Sequence, residues 1–323
     1  MGADDVVREY RDLYLDLAGH VRVDAAVELC LEMLDKGMGP EDITLRLLQP
    51  AQHEVGQRWA LGSWSVAQEH AVSAVTDTAL AALSAAVPAR PRGEPVVVAC
   101  PQTEWHGLAA RMVTQLLRWR GVAADHVGTL ASDSALEELL TERRPRALAL
   151  SCTMTSALPS VARAVDVAAH HGTAVLGGGL GFGPEGRYAR AVGVTVWDKH
   201  VSQVARRLAR WDGTGYPDHQ HAAPEPIAYR RLLRHRHDVA EEIADRLLEG
   251  EVDPEGAEIL RDAAEQVVAL ALAAARTGHA SILDEGVGEL VAVLSKRPEA
   301  MSAIAVRLPA AAHTVVDRYR GGP

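Results

Sequence analysis

Cysteine is scarce: Cys30, Cys100 and Cys152 are the only three in 323 residues, and no two are closely spaced. That excludes a disulfide framework and a thiolate zinc site. Aromatic residues make up only 4% of the chain, so the core must come mainly from alanine, valine and leucine, which suits helix-rich packing. Basic residues are outnumbered, with 33 Lys and Arg against 43 Asp and Glu and a net charge of −10, so the broad basic surface of a nucleic-acid partner is missing. No apolar run approaches the roughly 20 residues that span a bilayer. The opening "MGADDVVREYRD" is acidic and polar, without the apolar stretch of a signal peptide. These absences imply a cytoplasmic protein with neither membrane nor nucleic-acid partner, long enough for two or three domains.

What is present falls into three rhythms. Residues 1–86 carry helical periodicity, interrupted at Gly37-Met38-Gly39-Pro40 and around Gly62-Ser63, which predicts four helices packed as a bundle. The proline-rich "VPARPRGEP" that follows reads as a linker. Over residues 94–212 the runs "PVVVAC", "GVAADHVG", "RALALSC", "TAVLGGG" and "VGVTVW" alternate with helical stretches. This alternation predicts a flavodoxin-like, Rossmann-type sheet of five parallel strands covered by helices. A second linker, Trp211 to Pro226, leads to a wholly helical segment, 227–320, with helices expected at 227–249, 254–276, 280–296 and 299–319 and breaks at Gly250, Gly278 and Pro298. The fold class is thus α/β plus all-α.

An open α/β sheet holds its ligand at the C-terminal ends of its strands. Those ends carry Glu104-Trp105-His106, then Ser151-Cys152-Thr153, then Gly177-Gly178-Gly179. A lone loop histidine needs no task, but His106 has company. Glu104 can accept the second ring N–H, fixing the tautomer and raising the basicity of a metal-ligating imidazole. Gly107-Leu108-Ala109 lets a bulky planar group approach. The hydroxyls of Ser151 and Thr153 and the three glycines leave a channel against the sheet that side chains would block.

The combination resembles the B12-binding domain, whose pattern is Asp/Glu-x-His-x-x-Gly, then Ser-x-Leu/Thr, then Gly-Gly. Here it reads Glu104-x-His106-x-x-Ala109, Ser151-x-Thr153 and Gly178-Gly179, with 41 residues between Ala109 and Ser151 and alanine standing for the first glycine. The resemblance implies that His106 is the lower cobalt ligand, replacing the cofactor's own benzimidazole, whose tail enters the slot lined by the serine and glycines. In the bundle, Trp59 is followed ten and eleven residues later by Glu69 and His70. Trp59 alone would serve equally as helix packing. The spacing is similar to the Trp-x9-Glu-His signature of B12-dependent photoreceptors, where this trio surrounds the adenosyl group of adenosylcobalamin. Ala60 stands where the light-sensing transcription factors of that group have histidine.

The resemblance implies a light sensor in which adenosylcobalamin sits between bundle and sheet and light changes quaternary structure or domain pose. The alternative is a corrinoid protein that shuttles methyl groups for a methyltransferase. The layout of the C-terminal segment is similar to that of photocobilins, which add a bilin such as biliverdin. Arg230, Arg234 and His237, with Arg231 and His235 beside them, are then candidates for its propionates, and His279 and His313 for its pyrroles. A solvated basic stripe fits those residues equally well. The expected partners are small-molecule chromophores together with a second copy of the chain or a separate output protein.

Overall fold

A computed structural model of the chain describes residues 3–194, 196–210, 224–248, 253–296, 302 and 304–321. The described residues fall into two compact units, Met1–Gly93 with Arg111–Ala124 and Glu94–Ala110 with Asp125–Pro323.

The first unit contains the bundle. Its helices are α1 (Ala3–Gly19), α2 (Val23–Asp35), α3 (Pro40–Ile43), α4 (Gln49–Ala60) and α5 (Val66–Ala86), and a π-helical stretch, Thr44–Leu48, joins α3 to α4 into one run. Counting that run as one, the helices number four, as expected, but the break between α1 and α2, at residues 20–22, is not among the interruptions read from the sequence. Pro40 opens α3 at a position where its missing N–H costs nothing. Ser65 and Gln68 form a capping box at the start of α5. Tyr14, Leu15, Met33, Leu47, Leu48 and Leu83 make its buried interior. Ion pairs from Arg111 to Asp77 and from Arg120 to Glu41 bind the later segment of this unit to the bundle helices.

The sheet has the strand order β2-β1-β3-β4-β5, from β1 (Arg92–Cys100), β2 (Val122–Thr129), β3 (Ala147–Ser151), β4 (Ala174–Gly178) and β5 (Val196–Trp197). Strands β1, β3, β4 and β5 pair in parallel, with Ala99 opposite Leu150 and Ser151 opposite Gly178. Central strands covered on both faces are largely apolar, and β3 is buried at all five positions, with Ser151 at its end as the polar one. The expected linker is shorter than "VPARPRGEP", because pairing begins at Arg92, whose N–H donates to the Gly121 carbonyl. The connecting helices are α6 (Gly107–Trp119), α7 (Asp133–Arg143), α8 (Leu158–His170) and α9 (Val201–Arg210).

The C-terminal helices are α10 (Ile227–Arg234), α11 (Arg236–Leu247), α12 (Pro254–Thr277), α13 (Ser281–Leu294) and α14 (Leu308–Gly321). They share one hydrophobic core with the sheet layer: Leu148, Leu158 and Val161 belong to the same buried cluster as Leu232, Val267 and Val315. Helix α12 packs on α8 and on the short turn Thr155–Ala157. The single helix expected over 227–249 is two helices, because the backbone leaves helical geometry at His235 (φ −105°, ψ 18°). Buried Tyr229, Leu232, Val239 and Ile243 keep their helical spacing across that break, so periodicity alone could not reveal it. Gly278 ends α12 in the left-handed region, at the expected break. Residues 211–223 of the second linker, Gly250, Pro298 and the start of the helix expected at 299 lie outside the described residues.

All three thiols are buried and unpaired. Burial pushes Cys30 from 9.0 to about 12 and, with the nearby Glu104 charge adding to it, Cys100 to about 12 as well. At about pH 8 the native chain should therefore resist thiol reagents that modify all three cysteines after unfolding. Between the ordinary thiol value and about 12 the unfolded chain has lost protons that the native chain keeps, so stability must fall as pH rises through this window. Urea midpoints measured across it check the sign.

Candidate functional site

Strands β1 and β3 are neighbours while β2 lies on the far side of β1, so the connections diverge between them, at the position where such sheets hold ligands. The loop leaving β1 is held in a demanding shape. Thr103 has φ +68°, a left-handed conformation costly for a β-branched residue. Neighbouring contacts fix it there. Gln102 donates to the Ala131 carbonyl (2.9 Å) and accepts from Arg163 Nη2 (3.0 Å), and Thr129 Oγ1 donates to the Glu104 carbonyl (2.9 Å).

Glu104 is fully buried (0% exposed), and both of its oxygens are used. Oε1 accepts from His106 Nδ1 at 2.6 Å and from the His106 backbone N–H at 3.0 Å. Oε2 accepts from the backbone N–H groups of Thr153 (2.6 Å) and Met154 (2.8 Å), across the gap between the β1 and β3 loops. Burial by itself would raise the carboxyl pKa. The hydrogen bonds from the His106 ring and from the His106 and Met154 backbone outweigh it and hold the group below its ordinary range. Glu104 therefore stays ionised and holds the imidazole through Nδ1, and Nε2 is the ring atom a metal would take. Glu104→Gln keeps the volume but replaces one acceptor with a donor facing the ring. We expect it to weaken cobalt ligation about 10–100-fold and to lower stability by about 1–3 kcal/mol, read by cobalamin titration and urea denaturation of the same preparation.

The three glycines differ in purpose. A Cβ on Gly177 would lie 2.8 Å from Phe182 Cζ and 2.9 Å from a Val194 methyl, and one on Gly179 would lie 2.2 Å from the Cys152 carbonyl oxygen, in a backbone with φ +111°. Both are demanded by the chain's own packing. A Cβ on Gly178 would have only the Asp198 carbonyl oxygen near it, at 3.8 Å, so the chain leaves that space open. Ser151 is buried opposite Gly178, and Thr153 contributes its backbone N–H to Glu104. Around these loops apolar side chains stand in solvent: Trp105 is 84% exposed and Leu180 69%, with Met154 beside the carboxylate also exposed. Gly107 starts α6 directly after His106, with nothing within 4 Å of a Cβ placed there. Sequence reasoning missed Thr103, Met154 and Leu180. Only Met154 carried a signal, one residue past the Ser-x-Thr motif.

In the bundle unit, Trp59 is half-buried near the end of α4 and His70 is exposed. Glu69 sits between His70 Nε2 (3.3 Å) and the Ser73 hydroxyl, which donates to it at 3.2 Å. A chain of contacts continues inward through Gln52 and Thr76 to the buried Tyr14 hydroxyl, at 3.1, 2.7 and 3.0 Å. Glu69 is thus wired into the bundle core, a feature that no spacing rule exposes.

The C-terminal candidates are not gathered into a pocket. Arg230, Arg234 and His237 are exposed, and the break at His235 takes His237 off the helix that carries the two arginines. His235 pairs with Asp238 (3.1 Å) and His313 with Asp284 (3.2 Å). The His279 ring meets the buried Tyr188 ring edge-on at 4.9 Å. Charge and helical spacing suggested a shared inward face for the residues expected at bilin propionates, whereas the buried positions on α10 belong to Tyr229 and Leu232.

Among the described residues no group of three or more His, Cys, Asp or Glu side chains could hold a bare metal ion. His106 offers one donor, and a macrocycle that carries its own metal supplies the others. One oriented imidazole, an apolar rim for a flat ring and an open slot at Gly178 for a tail fit a corrinoid. Family models agree: residues 10–84 and 94–206 each match a B12 binding domain. No curated protein matches the chain. Among solved structures, the monomethylamine corrinoid protein of Methanosarcina barkeri is 17% identical and aligns over 62% of this chain and 96% of its own, with a TM-score of 0.54, which shows a shared fold. A cobalamin-binding protein of Desulfitobacterium hafniense is 17% identical over 62% of this chain and 97% of its own, with a TM-score of 0.34. The methanol:cobalamin methyltransferase complex of Methanosarcina barkeri is 16% identical over 63% of this chain and 81% of its own, with a TM-score of 0.33. No helix among the described residues is long and apolar enough to cross a membrane. The chain carries two successive B12-binding domains, residues 10–84 and 94–206, and is a cobalamin-binding protein.

Proposed function

We propose that the chain is a corrinoid carrier: it holds cobalamin through His106, with the cofactor's own base displaced, and presents the upper ligand, a methyl group, to a separate methyltransferase. The observation that carries this reading is the Glu104–His106 contact of 2.6 Å, reinforced by the two backbone N–H donors of the β3 loop. The fold shared with a monomethylamine corrinoid protein supports the methyl-carrying form of the reading. When bound, the cobalt supplies the exchange of its upper ligand. The chain's residues keep the lower side constant. Glu104 holds the ring tautomer and its charge, Thr103 and its neighbours keep the loop in shape, and Gly178 leaves room for the tail. The test is reconstitution in the dark with methyl- and adenosylcobalamin in equal amounts. Retention of the methyl form, with transfer of its methyl group to a thiol acceptor when a corrinoid methyltransferase is added, supports the carrier. Exclusive retention of the adenosyl form overturns it.

A second reading rests on the spacing of Trp59, Glu69 and His70, with Glu69 anchored through Ser73 and Gln52. This trio favours adenosylcobalamin and a light-sensing role, with output through a second copy or a partner. On that reading Trp59→Ala folds normally and loses its preference for adenosyl- over methylcobalamin by about tenfold, the scale of one large aromatic contact. The same preference ratio in variant and parent would make Trp59 a packing residue. Absorption spectra of the dark-purified protein before and after illumination separate the two functions directly.

A further inference from the structure

Arg276 stands out in the C-terminal part, outside both B12-binding matches. It lies in the last turn of α12, is 5% exposed, and has a buried Nη1 without a hydrogen-bond partner. No carboxylate among the described residues pairs with it. The helix C-terminus behind it offsets part of this charge, but a buried guanidinium without a counter-ion is a costly thing to keep. Helix α10 packs against α12 and carries Tyr229, 1% exposed, whose hydroxyl is a hydrogen-bonding partner of Arg163 and lies within electrostatic reach of Arg276. Arg163 is already balanced. Its Nη2 donates to Gln102 Oε1 (3.0 Å) and Ser160 Oγ (3.1 Å), and its Nε lies 3.6 Å from Asp133. Glu225, the remaining acid that bears on Tyr229, is exposed. Burial pushes the Tyr229 phenol up, so it remains a proton donor.

We propose that Arg276 and the Tyr229 hydroxyl form a binding site for the carboxylate of a small organic acid. The charge count selects the ligand class: one cation is unbalanced, so a monoanion neutralises it, whereas a phosphate brings nearly twice that charge. The donor geometry agrees, because a guanidinium fork and a phenol O–H offer hydrogens and no acceptor, and a carboxylate accepts several at once. The proposal is independent of how cobalamin is used.

The test is thermal unfolding of the full chain in acetate, chloride or phosphate at matched pH and ionic strength. Acetate should raise the midpoint saturably, and chloride and phosphate should not. Arg276→Met should abolish the acetate response and, in acetate-free buffer, melt at or above the parent, because it removes an unpaired buried cation. Tyr229→Phe, which leaves the helix contacts in place, should weaken the apparent acetate affinity by roughly tenfold or more, the worth of one hydrogen bond to a charged group. A parent that responds equally to all three anions, an Arg276→Met variant that melts well below the parent without acetate or fails to fold, or a Tyr229→Phe variant with unchanged acetate affinity would overturn the site.

Discussion

A chain carrying His106→Ala is expected to fold normally and to bind cobalamin at least about 100-fold more weakly, beyond the range that a change behind a metal ligand produces. Its side chain is half-exposed on a loop, so truncation opens no core cavity. What the substitution does remove is the imidazole whose Nδ1 is fixed by the buried Glu104 carboxylate. Glu104 keeps the backbone donors of residues 106, 153 and 154, so the loops stay joined and stability should change by less than about 1 kcal/mol. Loss of affinity at constant stability is the expected pair of results. Titration of the variant followed by urea unfolding reads both. Unchanged affinity would mean that the cobalt is held elsewhere.

The second large effect separates three adjacent glycines. Gly178→Val should leave the chain folded, because a Cβ there has nothing closer than 3.8 Å. It should nevertheless lower cobalamin affinity about 100-fold, because branched carbons then fill the space opposite Ser151 that we assign to the tail. Cobinamide, which lacks the nucleotide tail, should bind the variant and the parent alike. Gly179→Ala should do the reverse. Its Cβ would lie 2.2 Å from the Cys152 carbonyl oxygen at φ +111°, so the loops must separate, with a loss of about 3 kcal/mol or more. If cobinamide binding fell along with cobalamin binding in Gly178→Val, the slot would not be a tail site.

Much of this was legible because local signals and global structure coincide. Strands β1 and β3 are apolar at every buried position except Ser151, the last residue of β3, and the Glu104-x-His106 and Ser151-x-Thr153 spacings place their functional groups at the C-terminal ends of those strands. The rest depends on contacts between residues far apart in sequence. Gly177, Gly178 and Gly179 read alike, yet Phe182, Val194 and Cys152 give the first and third a packing role and leave the second for a ligand. Thr103 carries no sign of a left-handed backbone, which is set by the surrounding loop contacts. The arginines of α10 read as a clamp because composition reports charge and not direction. Arg276, unremarkable in sequence, is the buried arginine among the described residues. That the C-terminal helices join the core of the sheet layer follows from side chains such as Leu232 and Val267, whose periodicity says only that one face is covered.

The central claim is that the protein's own imidazole, His106, is the lower ligand of the bound cobalt. Electron paramagnetic resonance of the Co(II) form tests it most directly, using protein labelled uniformly with the heavy nitrogen isotope and cobalamin of natural isotopic composition. An axial nitrogen from the protein must split each cobalt line into a doublet, and His106→Ala must lose that splitting. A triplet in the labelled protein, which reports the cofactor's own benzimidazole nitrogen, would contradict the account.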